Sequence, residues 1–207
     1  MVLQFYGANA VRLTTKKASI VIDDNLADLG LKSIAKSGEI VLCTGPHGTF
    51  RDAKIVIDQP GEYEVSGVSI NGIAARAHID EENQFNSTIY KLIMDDVRIA
   101  VLGHVYPELT EDQLESLGTV DVLVIPVGGN GYTLDPVGAL HLIKEIEPKL
   151  VIPTHYADKE LNFPVPMQSL EDALKGLGME PKETTPKLKI KAGELSELTQ
   201  LVVLERQ

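Results

Sequence analysis

The stretch Val122-Leu123-Val124-Ile125-Pro126, continued by Asp135-Pro136, Glu147-Pro148 and Leu150-Val151-Ile152-Pro153-Thr154-His155, decides the fold. Two short, β-branched apolar runs, 122–125 and 150–152, read as strands buried on both faces. Between them Asp135 is an N-cap followed by proline at the first helical position, and Glu147-Pro148 closes the same helix, which spans 135–146. A strand, helix, strand unit of that length implies a parallel, right-handed crossover.

Upstream of this unit the chain changes character. Residues 2–6, 10–13, 19–23, 39–43, 54–57, 62–65, 68–74, 88–94 and 98–102 are short β-branched runs punctuated by Gly, Asn or charged turns. Val65-Ser66-Gly67-Val68 and Met94-Asp95-Asp96-Val97 place turn formers between apolar runs at two-residue spacing, which predicts antiparallel hairpins. Further helices are expected at 110–117, where Thr110 and Gln113 form a capping-box pattern, and at 169–176. Residues 187–190 and 198–204 read as a closing strand pair. No internal repeat or low-complexity segment divides the chain, and 162–166 is too short and apolar to be a linker, so 1–207 is expected to be one domain.

Composition narrows the function. A chain of 207 residues, 43% apolar, can remove roughly 70% of its unfolded surface from water, so neither a disulfide nor a structural metal is required. Lys+Arg 19 against Asp+Glu 30 gives a net charge of -11, which argues against nucleic acid or anionic lipid as a partner and leaves a small-molecule substrate or ligand. Cys43, alone and inside the run Ile40-Val41-Leu42-Cys43, is expected to be a small buried hydrophobe. The start shows no basic and apolar leader, and no stretch approaches the ~18 apolar residues of a membrane span, so the expected address is the cytoplasm.

Histidine carries the chemistry. His47, His78, His104 and His155 each lie just past an apolar strand, where open α/β sheets gather ligands, while His141 is mid-helix and expected to be structural. Four such imidazoles would suit zinc or another borderline cation. A histidine at a strand end is also an ordinary surface or core residue, so each position has a bland reading beside the functional one.

The order of segments resembles the metallo-β-lactamase superfamily, in particular its small Zn-dependent hydrolases, a branch that includes sugar-lactone hydrolases. The matching pieces run from Phe5-Tyr6-Gly7 and Ile20-Val21-Ile22-Asp23 through Leu42-Cys43-Thr44-Gly45-Pro46-His47-Gly48-Thr49-Phe50, Pro60-Gly61-Glu62-Tyr63, Ala77-His78 and Leu102-Gly103-His104 to Pro126-Val127-Gly128-Gly129 and Pro153-Thr154-His155-Tyr156. The resemblance implies a four-layer αββα sandwich with the site in a cleft between the sheets' upper edges. There, two metals would share a hydroxide that attacks a carbonyl or phosphoryl centre.

The family's His-x-His-x-Asp-His signature reads Gly45-Pro46-His47-Gly48-Thr49-Phe50 here. Only its second histidine survives, as His47, and the bridging acidic residue is His104. His78 and His155 match the third and last ligand histidines, and Asp23 matches the acidic residue that supports the metal loop. The dinuclear site therefore cannot assemble. What the resemblance leaves is a metal-dependent hydrolase with at most one ion, zinc being possible: His47, His78 and His155 hold it, and His104 completes the shell or shuttles protons. The alternative is a non-catalytic, metal-free relative that binds a small molecule or a protein.

Overall fold

The computed structural model describes residues 1–207. Fourteen strands form two sheets. The first sheet holds β1 (Val2–Gly7), β2 (Ala10–Thr14), β3 (Ser19–Ile22), β4 (Ile40–Leu42), β5 (Ile55–Ile57) and β13 (Leu188–Lys189), in the order β13-β1-β2-β3-β4-β5. The second holds β6 (Gly61–Val65), β7 (Val68–Ala75), β8 (Ser87–Met94), β9 (Val97–Val101), β10 (Val122–Pro126), β11 (Leu150–Thr154), β12 (Pro181–Thr185) and β14 (Gln200–Leu204), in the order β12-β14-β11-β10-β9-β8-β7-β6.

Both predicted hairpins form. Ser66 and Gly67 have φ 56° and 73°, Asp95 and Asp96 φ 48° and 61°, the doubly left-handed turn whose twist matches that of the paired strands. The predicted crossover also forms: β10 and β11 pair in parallel from Val122 opposite Leu150 to Pro126 opposite Thr154. Between them runs α2 (Pro136–Ile146), capped by Asp135, whose side chain accepts from the Gly138 N–H at 2.7 Å. α1 (Glu111–Leu117) starts on the expected capping box of Thr110 and Gln113, and α3 (Leu170–Leu177) on Ser169.

The core lies between the sheets. Leu3, Phe5, Val11, Leu13, Ile20, Ile22, Ile40 and Leu42 face Ile70, Tyr90, Leu92, Ile99, Val101, Val124 and Ile152, all buried. A second apolar layer packs the helices onto the other face of the second sheet through Leu123, Ile125, Val151, Ala139, Leu142, Ala173 and Leu177. The fold is thus α/β with two facing sheets. Its helices cover the second sheet, whereas residues 24–38 cover the outside of the first as irregular chain, anchored by Leu26 and Leu29 against Ala8 and Ala10. Asp24 fixes this segment by accepting from the Ile34 and Ala35 N–H groups and from Ser33 Oγ at 2.6–2.8 Å.

Two expectations are corrected. The segments read as a closing pair do not pair with each other: β13 joins β1 in the first sheet, and β14 joins β11 and β12 in the second. The strand β12 was unrecognised because Pro181-Lys182-Glu183-Thr184-Thr185 is a polar edge with no apolar alternation. Cys43 is buried and unpaired, and burial pushes its thiol pKa far up. No helix is long and apolar enough to cross a membrane.

Candidate functional site

Strand ends of both sheets bound a cavity of about 180 Å³ whose walls include Asn9, Asp23, Thr44, His78, His104 and Tyr132. Its frame is a buried polar network. Asp23 leaves β3 in the left-handed region, φ 54°, and its carboxylate accepts from the Thr44 N–H and Oγ at 2.7 Å and from Asn9 Nδ2 at 2.6 Å. Asn9 in turn donates to the Leu102 carbonyl and accepts from Thr154 Oγ. Four strand ends are thereby tied to one carboxylate, the loop-supporting role that the family resemblance implies for Asp23. Burial pushes the Asp23 pKa above the usual carboxylate range, against the hydrogen bonds from Thr44 and Asn9 and the attraction of His47.

His104, just past β9, and His155, just past β11, are neighbours because β9, β10 and β11 are adjacent parallel strands. Their rings meet edge to face with centroids 4.5 Å apart, and Tyr132 stands 4.7 Å from His104. His155 is 1% exposed, has φ 55°, donates its N–H to the Ala8 carbonyl at 2.7 Å, and is backed by Phe163 at 5.0 Å. Burial, then repulsion from His104, pulls the His155 pKa down to about 3; burial, then repulsion from His78, pulls His104 down to about 4. Both are neutral imidazoles at physiological pH. His78 lies next to them, its N–H donating to the His104 carbonyl at 2.6 Å. The Nδ1 atoms of His78 and His155 are buried without a hydrogen-bond partner.

His47 departs from the expected set. Its Nδ1 faces the Gly48 carbonyl at 2.6 Å and its Nε2 faces Asp58 Oδ2 at 3.0 Å, two acceptors that are satisfied together only by the doubly protonated ring. Partial burial opposes that charge, but the bonds to Asp58 and Gly48 and the charges of Asp58 and Asp23 outweigh it, holding the pKa above the ordinary imidazole value. A metal ligand must instead offer a free, unprotonated nitrogen. Nor does the wider set converge: no three His, Cys, Asp or Glu side chains come together so as to hold an ion. A two-metal centre does not fit these residues, and His47 is not free to ligate. A proton shuttle near neutral pH needs a matching pKa, so burial works against that role for His104.

Asp80 serves the loop between β7 and β8 and lends no carboxylate to a metal, since it accepts from the Ala77 and Asn86 N–H groups and Asn86 Nδ2. Arg76 donates to the Asp80 carbonyl and stacks 3.8 Å over Tyr106, away from the cavity. The glycine-rich turn after β10 borders the site because Gly128 lies against the His155 carbonyl. Asn9, Asn86 and Phe163 were missed; the one signal for Asn9 was its place in the turn after Phe5-Tyr6-Gly7, where Ala8 takes φ 47°.

A two-sheet sandwich with a polar cleft at the strand ends is the architecture that the family resemblance implies. Residues 2–155 match the family model described as the β-lactamase superfamily domain, and the chain belongs to that family. A protein of Thermococcus onnurineus named a metal-dependent hydrolase is 29% identical over 100 residues, covering 46% of this chain and 44% of that protein, so the match spans less than half of the relative's length. Among solved structures, one from Thermotoga maritima described as a Zn-dependent hydrolase of the metallo-β-lactamase superfamily has a TM-score of 0.76 at 24% identity, over 100% of this chain and 99% of its own. One from Parabacteroides distasonis described as a metal-dependent hydrolase has a TM-score of 0.66 at 16% identity, over 99% and 93%.

Proposed function

We propose that this member of a metal-dependent hydrolase family uses its strand-end cleft to bind a small molecule, without the two-metal centre of its working relatives. The observation that carries this reading is the fate of the ligand positions: Gly45 and Phe50 offer no side-chain donor, Thr49 offers only a neutral hydroxyl, and both ring nitrogens of His47 are engaged. What remains is a preformed cavity walled by Asn9, His78, His104 and Tyr132, a concave site on which several polar groups converge.

A second reading is favoured by one observation, the partnerless Nδ1 atoms of His78 and His155. A single zinc ion would need His78, His104 and His155 to draw closer together around it than they stand here; they would then give the ligand number of mononuclear zinc enzymes, and the ion would supply Lewis acidity to a hydrolase.

Thermal unfolding with zinc and with chelator separates the two, because a ligand bound only to the native state raises Tm. The expected result is a Tm indifferent to both additions, with no chelator-sensitive hydrolysis of simple esters, lactones or phosphodiesters. A Tm raised by zinc in the native sequence but not in His155→Asn would replace the first reading by the second.

A further inference from the structure

Five large apolar side chains are conspicuously exposed in the whole chain, and two of them, Ile79 at 73% and Phe85 at 57%, stand on one loop, residues 76–86. That loop borders the cleft. Ile79 lines the cavity itself, and Ile79 and Phe85 both line the groove of about 680 Å³ that continues from it past Thr44, His47 and Asn86.

The exposure is not that of a slack loop. Asp80 Oδ2 accepts from the Ala77 and Asn86 N–H groups at 2.8 and 3.0 Å, and its Oδ1 from Asn86 Nδ2 at 2.9 Å. Arg76 clamps the Asp80 carbonyl from Nε and Nη2 at 3.1 and 2.9 Å. Two apolar side chains are thus held out in water at the mouth of a polar cavity by a dedicated hydrogen-bond set, the arrangement of a surface built to be covered.

The lining also has a sign. Cavity and groove carry Asp23, Asp24, Asp58 and Asp80 and no Lys or Arg, and the charge of His47 is matched by Asp58. An anionic ligand would lose its hydration there and find no free cation in exchange. A neutral hydrogen-bonding group suits the floor better, because Asn9, Thr44, Asn86 and Ser87 line it with amides and hydroxyls.

Resting on the reading of the cleft as a small-molecule pocket, we propose that its ligand is an uncharged amphipathic molecule, with an amide-, ester- or hydroxyl-type head in the cavity and a hydrocarbon part across Ile79 and Phe85. The test is calorimetric titration of the full chain with two homologous series, acetamide to octanamide and acetate to octanoate. Affinity in the amide series is expected to rise about fourfold for each added methylene that reaches the loop. The carboxylates are expected to bind at least about tenfold more weakly at equal length. In Ile79→Ser combined with Phe85→Ser, two exposed positions whose replacement leaves the core untouched, the rise with chain length should flatten.

Short amides that bind without any dependence on length, a length dependence that survives the double replacement, or carboxylates that match the amides would each overturn the proposal and leave the pocket reading standing. No binding by any amide would overturn both.

Discussion

Gly128→Ala is expected to destabilise the protein by about 3 kcal/mol or more and to displace His155. A Cβ at this position would meet the His155 carbonyl oxygen at 2.0 Å and Met167 Sδ at 2.7 Å, and the first of these is backbone, which cannot swing aside. The strain falls on a residue with little freedom: His155 sits at φ 55°, tied through its N–H to Ala8 and packed on His104 and Phe163. Gly45→Ala is the matched control, since nothing lies within 4 Å of its added methyl, and it should stay within about 0.5 kcal/mol of the parent. Urea denaturation of the two variants checks both values, and a Gly128→Ala protein as stable as Gly45→Ala would show that the turn does not press on the site.

Acid is expected to unfold this protein earlier than its carboxylates alone require. A histidine whose pKa is depressed by folding leaves stability intact above its unfolded value, near 6.5. As pH falls from there toward the folded value, stability is lost, because the unfolded chain takes up the proton first. For His104 and His155 that window runs from about 6.5 down to about 4 and about 3. His155, buried at 1% exposure, carries most of the effect, since His104 is partly open to the cavity. The loss across the window is of the order of 3 kcal/mol or more. His155→Asn provides the check: asparagine tolerates the left-handed backbone and does not titrate, so the slope of stability between pH 6.5 and 4 should shrink. An unchanged slope would mean that the imidazole is not held neutral by burial.

The sequence made the frame of this site legible and left its wiring hidden, for definite reasons. The segment from Val122 to His155 could be read because local chemistry dictates it: β-branched runs buried on both faces, an Asp-Pro helix start, and a proline stop. The hairpins at Ser66-Gly67 and Asp95-Asp96 were equally local. By contrast, β12 is a polar edge whose parallel pairing with β14 depends on a connection that passes through β13 in the other sheet. The same limit applies to the histidines. That His104 and His155 meet follows from β9, β10 and β11 being parallel neighbours in order, which their shared position at strand ends foreshadowed. That His47 turns to Asp58 depends on the course of the intervening loop, where no periodicity guides a reader. Family resemblance supplied the ligand positions, and the tertiary structure shows which of their ring nitrogens carry hydrogen bonds.

Asp23 and Asn9 tie four strand ends together and so frame the cleft. The pocket it frames, lined by Asn9, His78, His104 and Tyr132 and flanked by Ile79 and Phe85, is the place the proposed small molecule would occupy.

The central claim, that this cleft no longer assembles a pair of metals, is tested most directly by anomalous diffraction at the zinc absorption edge from crystals equilibrated with excess zinc. The expected result is the absence of any paired peaks among His47, His78, His104 and His155. Two peaks about 3.5–4 Å apart in that space, the separation of a working dinuclear centre, would contradict it.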